Sequence, residues 1–212
     1  MPRFSGESEI NKTVFKDEII IDDCNYGAKG FGRGEYDSQA ILYDKLISNG
    51  LYNKIMWGNS PKEYAAFCKK GLKGANGIIA DIGCGTLGFT VKVYAENKTK
   101  NLFLCGLSLE MLKIGKRRLG SKSKGISSIT FLRSDALNMP LKDAIVQTAL
   151  SFGVFHIFEN PTRLIKEIVR ILKPGSQLFL SSLYTDRKLS KKYLEFLNKK
   201  DTLPNLLNRL KS

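Results

Sequence analysis

From Ile78 onward, short apolar runs alternate with longer stretches whose apolar residues recur every three or four positions. This is the pattern of a parallel sheet joined by crossover helices. The predicted strands are Ile78–Ile82, Leu102–Gly106, Ile129–Arg133, Ile145–Ser151 and Gln177–Ser182. Two intervening helices carry readable ends. The first takes Ser108 as N-cap, places Leu109, Leu112 and Leu119 on its apolar side and meets Gly120 just past its end. The second opens at Asn160 and Pro161, sets Leu164, Ile165, Ile168, Ile171 and Leu172 on one stripe, and stops at Pro174 and Gly175. Ahead of the sheet, Ser38–Asn49 and Pro61–Leu72 read as helices, and Asp22–Glu35 as a Gly-rich loop. The period of Thr13–Ile21 is ambiguous and admits an extra strand.

With 212 residues, the chain suits one well-buried α/β core and an extension. We expect a single domain, with residues 1–74 as an N-terminal extension and substrate lid and residues 75–212 as the core. Hydrophobic residues at 42% and charged residues at 25% favour a packed core over disorder. No apolar run is long enough to cross a bilayer, and MPRFSGESEINKTVFKDE lacks the apolar stretch of a secretory signal, so a cytoplasmic location is expected. Cys24, Cys68, Cys84 and Cys105 are scattered with no C-x-x-C pair, which suggests free thiols and no metal site.

The formal net charge of +14 would attract phosphate-rich partners or anionic lipid. The basic residues gather in two runs, one from Lys113 to Lys124 and one from Arg187 to Lys200. Neither is interleaved with the aromatic and Gly pattern of an RNA-recognition sheet, so solvated helix faces are the preferred reading and RNA is not the favoured partner.

The first predicted strand runs into Gly83-Cys84-Gly85-Thr86-Leu87-Gly88, a G-x-G-x-x-G loop whose glycines allow a tight turn and close backbone approach to a ligand. Nicotinamide and flavin enzymes use the same pattern, so the loop alone does not choose the ligand. Two features do. Asp81 puts a carboxylate beneath the loop, where it would repel a pyrophosphate and attract an ammonium. A dinucleotide site also wants an acid about twenty residues further on, at the end of the second strand, yet the chain there reads Cys105-Gly106-Leu107-Ser108.

At these residues the chain resembles the class I S-adenosylmethionine-dependent methyltransferases, in particular the branch that includes quinone and sterol methyltransferases. IADIGCGTLG is similar to the family's first motif, GLSLEML (Gly106–Leu112) to its second and SDALNMPL (Ser134–Leu141) to its third. SFGVFHIFENPTRLIKEIVRILKPG (Ser151–Gly175) resembles the fourth motif with its following helix. The resemblance implies an α/β, Rossmann-like fold with a mostly parallel sheet flanked by helices, an N-terminal helical extension and a reduced C-terminal hairpin. It implies S-adenosylmethionine as cofactor. Gly83, Cys84, Gly85 and Thr86 would wrap its methionine part and Asp81 would bond its ammonium. Gly106, Leu107, Ser108 and Met111 would border ribose and adenine. Asp135 and the backbone of Ala136 would read the adenine edge, although a capping role for Asp135 stays open. Ser151 and Phe152 would close the site beside the sulfonium.

Three departures from the family pattern matter. The acidic residue that usually takes the ribose hydroxyls is replaced by Gly106, a loss of about 1.5–3 kcal/mol unless Ser108, Glu110 or water substitutes. Gln147 stands where the fourth motif often has Asp. Asp186–Lys200 has helical spacing in place of the usual hairpin, which would leave a strand edge for Thr13–Ile21 or a second subunit to cover. A homo-oligomer therefore stays open.

Methyl transfer from a sulfonium asks the protein mainly for alignment and exclusion of water, with a general base useful for hydroxyl or enolic acceptors. His156, the only histidine, lies just after the fourth strand and is nominated as that base, against the alternative of simple packing among Phe155, Ile157 and Phe158. The expected function is methyl transfer to a small-molecule acceptor. The alternatives are an RNA methyltransferase and a non-catalytic S-adenosylmethionine-binding module.

Overall fold

The computed structural model describes residues 11–15, 18–22, 40–41, 44–45, 48–57, 60–96, 101–121, 129–158 and 160–182. Its strands are β1 (Asn11–Phe15), β2 (Glu18–Asp22), β3 (Ile78–Ile82), β4 (Leu102–Gly106), β5 (Ile129–Arg133), β6 (Val146–Phe152) and β7 (Leu172–Ser181). Its helices are α1 (Gly50–Trp57), α2 (Pro61–Leu72), α3 (Val91–Glu96), α4 (Leu109–Gly120) and α5 (Pro161–Ile171). Residues 40, 41, 44 and 45 are also helical, within the predicted Ser38–Asn49.

The central strands are apolar on both faces because each face is covered, as parallel sheets require. Ile79, Leu104, Phe131 and Leu150 face one way and pack with Cys68 and Leu72 of α2, Tyr94 of α3 and Leu112 of α4. Their neighbours Ala80, Cys105, Leu132 and Ala149 face the other way and pack with Leu164, Ile168 and Ile171 of α5. Helix α2 presses on the sheet at Gly71, where a Cβ would lie 2.7 Å from Leu150 Cδ2.

The sheet order is β1-β2-β5-β4-β3-β6-β7. From β3 the chain builds outward through β4 and β5, then crosses back to add β6 and β7 on the other side. That reversal beside β3 opens a crevice at the carboxyl ends of the strands, the usual ligand position in open α/β sheets. All central pairs are parallel, β2 runs parallel to β5, and β1 is antiparallel to β2. The Thr13–Ile21 region thus joins the sheet as two strands, at the β5 edge and not at the β7 edge where the sequence reading put it. Its pairing partner, Ile129–Arg133, presents a parallel register from Ile20 with Phe131 to Asp22 with Arg133. The expected Asp186–Lys200 helix lies outside the described residues.

Two predicted ends moved. Helix α5 stops at Ile171, before Pro174, because the amides of Ala144 and Ile145 take the carbonyls of Arg170 and Ile171 at 2.9 Å and the chain enters β7 at once. Helix α4 continues through Gly120, and Ser121 closes it by donating its N–H to Arg117 O and its hydroxyl to Arg118 O. No helix among the described residues is long and apolar enough to cross a membrane.

Candidate functional site

β3 delivers the chain into the Gly-rich loop at the carboxyl edge of the sheet. Gly83 adopts φ 77°, and a Cβ there would lie 2.2 Å from Val154 Cγ2, so the turn admits only glycine. The N–H groups of Gly83 and Cys84 both donate to Cys105 O at 2.9 Å, which pins the start of the loop to β4. Leu87 N–H closes a turn onto Cys84 O. Gly85, at φ 55°, has open space around its Cβ position. The amides of Gly85 and Thr86 make no hydrogen bond among the described residues, so these two donors are available to a ligand.

Asp81 points to the α2–α3 side of the sheet and is 2% exposed. Tyr94 Oη of α3 donates to its Oδ2 at 2.7 Å. Burial dominates its ionisation and, against the opposing Tyr94 bond, pushes the carboxyl up to about 7. Its surroundings are thiols held protonated. Burial and the Asp81 charge raise Cys68 and Cys105 to about 12 each and carry Cys84 well above its ordinary range. Among the described residues the site therefore holds a buried acid whose side-chain partner is the Tyr94 hydroxyl. Tyr94 was not found from sequence, since one tyrosine in VKVYAE carries no signal until the fold turns it toward Asp81.

Across the crevice, Gly106 O accepts from Ser134 N–H and Leu107 O accepts from Arg133 Nε at 3.1 Å. A Cβ at Gly106 would sit 3.2 Å from Leu112 Cδ2 and 3.9 Å from Cys84 Sγ, so β4 is close to the loop here. Ser108 is the N-cap of α4 as expected, its Oγ accepting from the N–H of the buried Met111 at 3.2 Å. Glu110 is salt-bridged to Lys113 at 2.6 Å. Both residues considered as stand-ins for the missing ribose acid thus have structural partners of their own.

Asp135 Oδ1 accepts from Leu137 N–H at 2.8 Å, an Asx-type turn that shapes the segment carrying Ala136; no helix begins there. Ser151 is fully buried and donates to Ile82 O at 3.1 Å, tying β6 to the end of β3. Phe152 lies next to it with its ring 5.6 Å from that of Phe67 on α2. His156 falls in the 3-10 turn Phe155–Ile157 directly after β6, and its side chain lies outside the described residues. Asp81, the loop, Gly106, Ser108, Ser151 and Phe152 therefore share one edge of the sheet.

The structure adds a constellation that sequence reasoning missed. Asp44, on the helical segment before α1, accepts both Nη1 (2.9 Å) and Nη2 (2.7 Å) of Arg118 at the end of α4. Thr86 Oγ1 donates to Asp44 Oδ1, and Arg118 Nη1 also reaches Thr86 O at 2.8 Å. Partial burial works against ionisation of Asp44, but the bonds from Arg118 and Thr86 outweigh it and hold the carboxyl below its usual range. No spacing signals this meeting, since Asp44 and Arg118 are 74 residues apart.

The first basic run is less available than its composition suggests. Lys113 is paired with Glu110, Lys116 lies over the Phe131 ring at 5.9 Å and Arg118 is bound to Asp44. Three of its cations are thus engaged inside the molecule. The second run lies outside the described residues.

Residues 80–180 match the family model described as "Methyltransferase domain". The chain is 34% identical over 106 residues to the Mus musculus protein named "Probable tRNA methyltransferase 9B", covering 49% of this chain and 21% of that protein. It is 33% identical over 104 residues to the demethylmenaquinone methyltransferase of Paenarthrobacter aurescens, covering 49% of this chain and 37% of that one. The chain thus spans about one fifth to two fifths of the length of these curated relatives. Among solved structures, a SAM-dependent methyltransferase of Thermotoga maritima has the same fold at a TM-score of 0.54 and 21% identity, over 84% of this chain and 78% of that one.

Proposed function

We propose that this chain, whose residues 80–180 match the "Methyltransferase domain" model, is an S-adenosylmethionine-dependent methyltransferase acting on a small-molecule acceptor. The observation that carries the reading is Asp81, a fully buried carboxyl beneath a glycine loop whose one described partner is the Tyr94 hydroxyl. Beside an α-ammonium, Asp81 gains a cation to offset its burial, and its ionised form becomes favourable. A pyrophosphate at the same place would meet repulsion. When bound, the cofactor supplies a methyl group already activated on a sulfonium.

Everything else required of the chain is binding, orientation and dryness. Gly85 and Thr86 offer backbone donors to the methionine part, while Gly83 and Cys84 set the turn that presents them. Tyr94 holds the Asp81 carboxyl in one orientation. Gly106, Leu107, Ser108 and Met111 border the ribose and adenine, and Asp135 with Ala136 reads the base edge. Ser151 and Phe152 wall the side of the crevice toward the acceptor, with His156 as the base for a hydroxyl or enolic carbon.

A small acceptor is favoured by the engaged state of the basic run on α4, by the apolar wall of Phe67 and Phe152, and by the relative named for demethylmenaquinone. The test has two stages. Calorimetry with S-adenosylmethionine and S-adenosylhomocysteine is expected to show binding of both, and no heat from either would reduce the protein to a module without this cofactor. Labelled methyl transfer to cell extract should then mark the metabolite fraction. Label found only in RNA would overturn the acceptor class and favour the kind of role named for the mouse relative.

A further inference from the structure

We propose that Asp44 and Arg118 form a latch that holds the Gly-rich loop in its ligand-binding shape, making both of them positioning residues for the cofactor. The inference rests on the function proposed above for what the loop binds, but the latch itself stands on its own contacts.

The loop needs holding. Leu87 sits at φ 57°, a left-handed conformation that a branched side chain avoids and that persists only where the surroundings impose it. The residue immediately before it is the one the latch grips. Thr86 gives its hydroxyl to Asp44 and its carbonyl to Arg118 Nη1 at 2.8 Å, so the peptide joining Thr86 to Leu87 is fixed from the carbonyl side. On the opposite side of that peptide, Leu87 N–H is taken by Cys84 O. Both ends of the strained peptide are therefore tied.

Helix α4 supplies the backing. A Cβ on Gly115 would lie 3.1 Å from Leu87 Cγ and 3.3 Å from Gly85 O, so the loop rests directly on the helix backbone. Arg118 lies one turn further along the same face and reaches over the loop to Asp44. From the other side, Ser48 Oγ bonds Asp44 Oδ1 at 3.3 Å and lies 3.1 Å from where a Gly88 Cβ would be. The loop is thus enclosed between α4 and the segment before α1. The two-bonded Arg118–Asp44 fork is partly shielded, with side chains 25% and 15% exposed, which gives it the fixed geometry that an open surface pair lacks.

The consequence concerns Gly85 and Thr86, whose amides are the loop's available donors. With Thr86 released, Leu87 can return to the ordinary negative φ and the two donors lose their common direction. Losing the latch should therefore cost ligand affinity without removing any group that touches the ligand through its side chain.

Asp44→Asn, Arg118→Met, Arg118→Lys and the Asn/Met double variant test this in the full chain. Hydrogen exchange of the ligand-free protein reads the loop directly. The Asn and Met variants should speed exchange of the Leu87 amide, which donates to Cys84 O, by about tenfold or more, while strands β3 and β4 stay protected. Calorimetry with S-adenosylhomocysteine should show at least about tenfold weaker binding for each, a smaller loss for Arg118→Lys, and a double variant no worse than the weaker single one. A Leu87 amide exchange rate equal to wild type would overturn the latch. Unchanged affinity with faster exchange would overturn its positioning role. If wild type itself binds neither cofactor form, the proposed function fails, and the exchange comparison still decides whether the latch shapes the loop.

Discussion

Replacing Asp81 by Asn isolates the electrostatic cost on which the cofactor reading stands. The carboxyl titrates near 3.8 when exposed and at about 7 in the fold, because burial outweighs the Tyr94 bond. Between those values the native state keeps a proton that the unfolded chain has released. Linkage then makes this group's contribution to stability decline as pH rises through that window, and level off above it. At about 1.4 kcal/mol per pH unit, the gap from 3.8 to about 7 amounts to about 4 kcal/mol of destabilisation at pH 8. The interval from 3.8 to pH 5.5 amounts to about 2 kcal/mol.

Asn does not titrate, so the stability of Asp81→Asn relative to wild type should improve by about 2 kcal/mol between pH 5.5 and pH 8. For a domain of this size that is about 4–8 °C in Tm. Urea unfolding of both proteins at both pH values gives the measurement, and any fixed cost of burying an amide cancels between them. A stability difference that does not change with pH would refute burial-driven titration of Asp81. The same variant should lose most of its affinity for S-adenosylhomocysteine, and wild-type affinity should climb from pH 5.5 toward pH 7 as the carboxylate becomes available.

Two other substitutions probe the ribose side of the crevice and the packing of α5. Gly106→Asp restores the acid expected at the ribose and should tighten S-adenosylhomocysteine binding about tenfold, the equivalent of one charged hydrogen bond. Leu112 Cδ2 must yield slightly to the new Cβ at 3.2 Å, and calorimetry showing equal or weaker binding would count against Gly106 as a ribose neighbour. Arg170→Met removes a guanidinium that bonds both oxygens of the buried Glu167, the Asp143 carboxylate and the carbonyls of Met139 and Leu141. Glu167 keeps only the Met139 amide, so equilibrium unfolding should show a loss of about 3 kcal/mol, and a loss below about 1 kcal/mol would mean that the clamp is not coupled to the fold.

What could be read from the residues depended on how local the signal was. Strands β3, β4 and β5 match their expected bounds because each is a short, largely apolar run that opens just after Gly77, Asn101 or Ser128. β6 is displaced by one, extended at its far end by pairing of Phe152 with Ser181, a partner the run itself does not announce. Asn49, the expected last residue of the Ser38–Asn49 helix, instead caps the start of α1. Its side chain accepts from the amides of Leu51 and Tyr52 and opens α1, which a leading glycine and a length of eight residues had hidden. In the site, the glycine loop and Asp81 were legible because a turn needs its residues side by side. Tyr94, Asp44 and Arg118 were not, because their meaning arises only where separate helices meet over the loop.

The pairing of β2 with β5 also bears on how the molecule comes into being. Ile20 aligns with Phe131, a separation of 131 − 20 = 111 residues, whereas β1 and β2 pair within a dozen positions. During synthesis, at about 5–20 residues per second, the small ribbon is complete roughly ten seconds before its docking strand leaves the ribosome. It waits with an open margin until β5 follows, while β6 and β7 come later still. The ribbon therefore stays undocked through that interval, open to any chaperone or stray strand within reach.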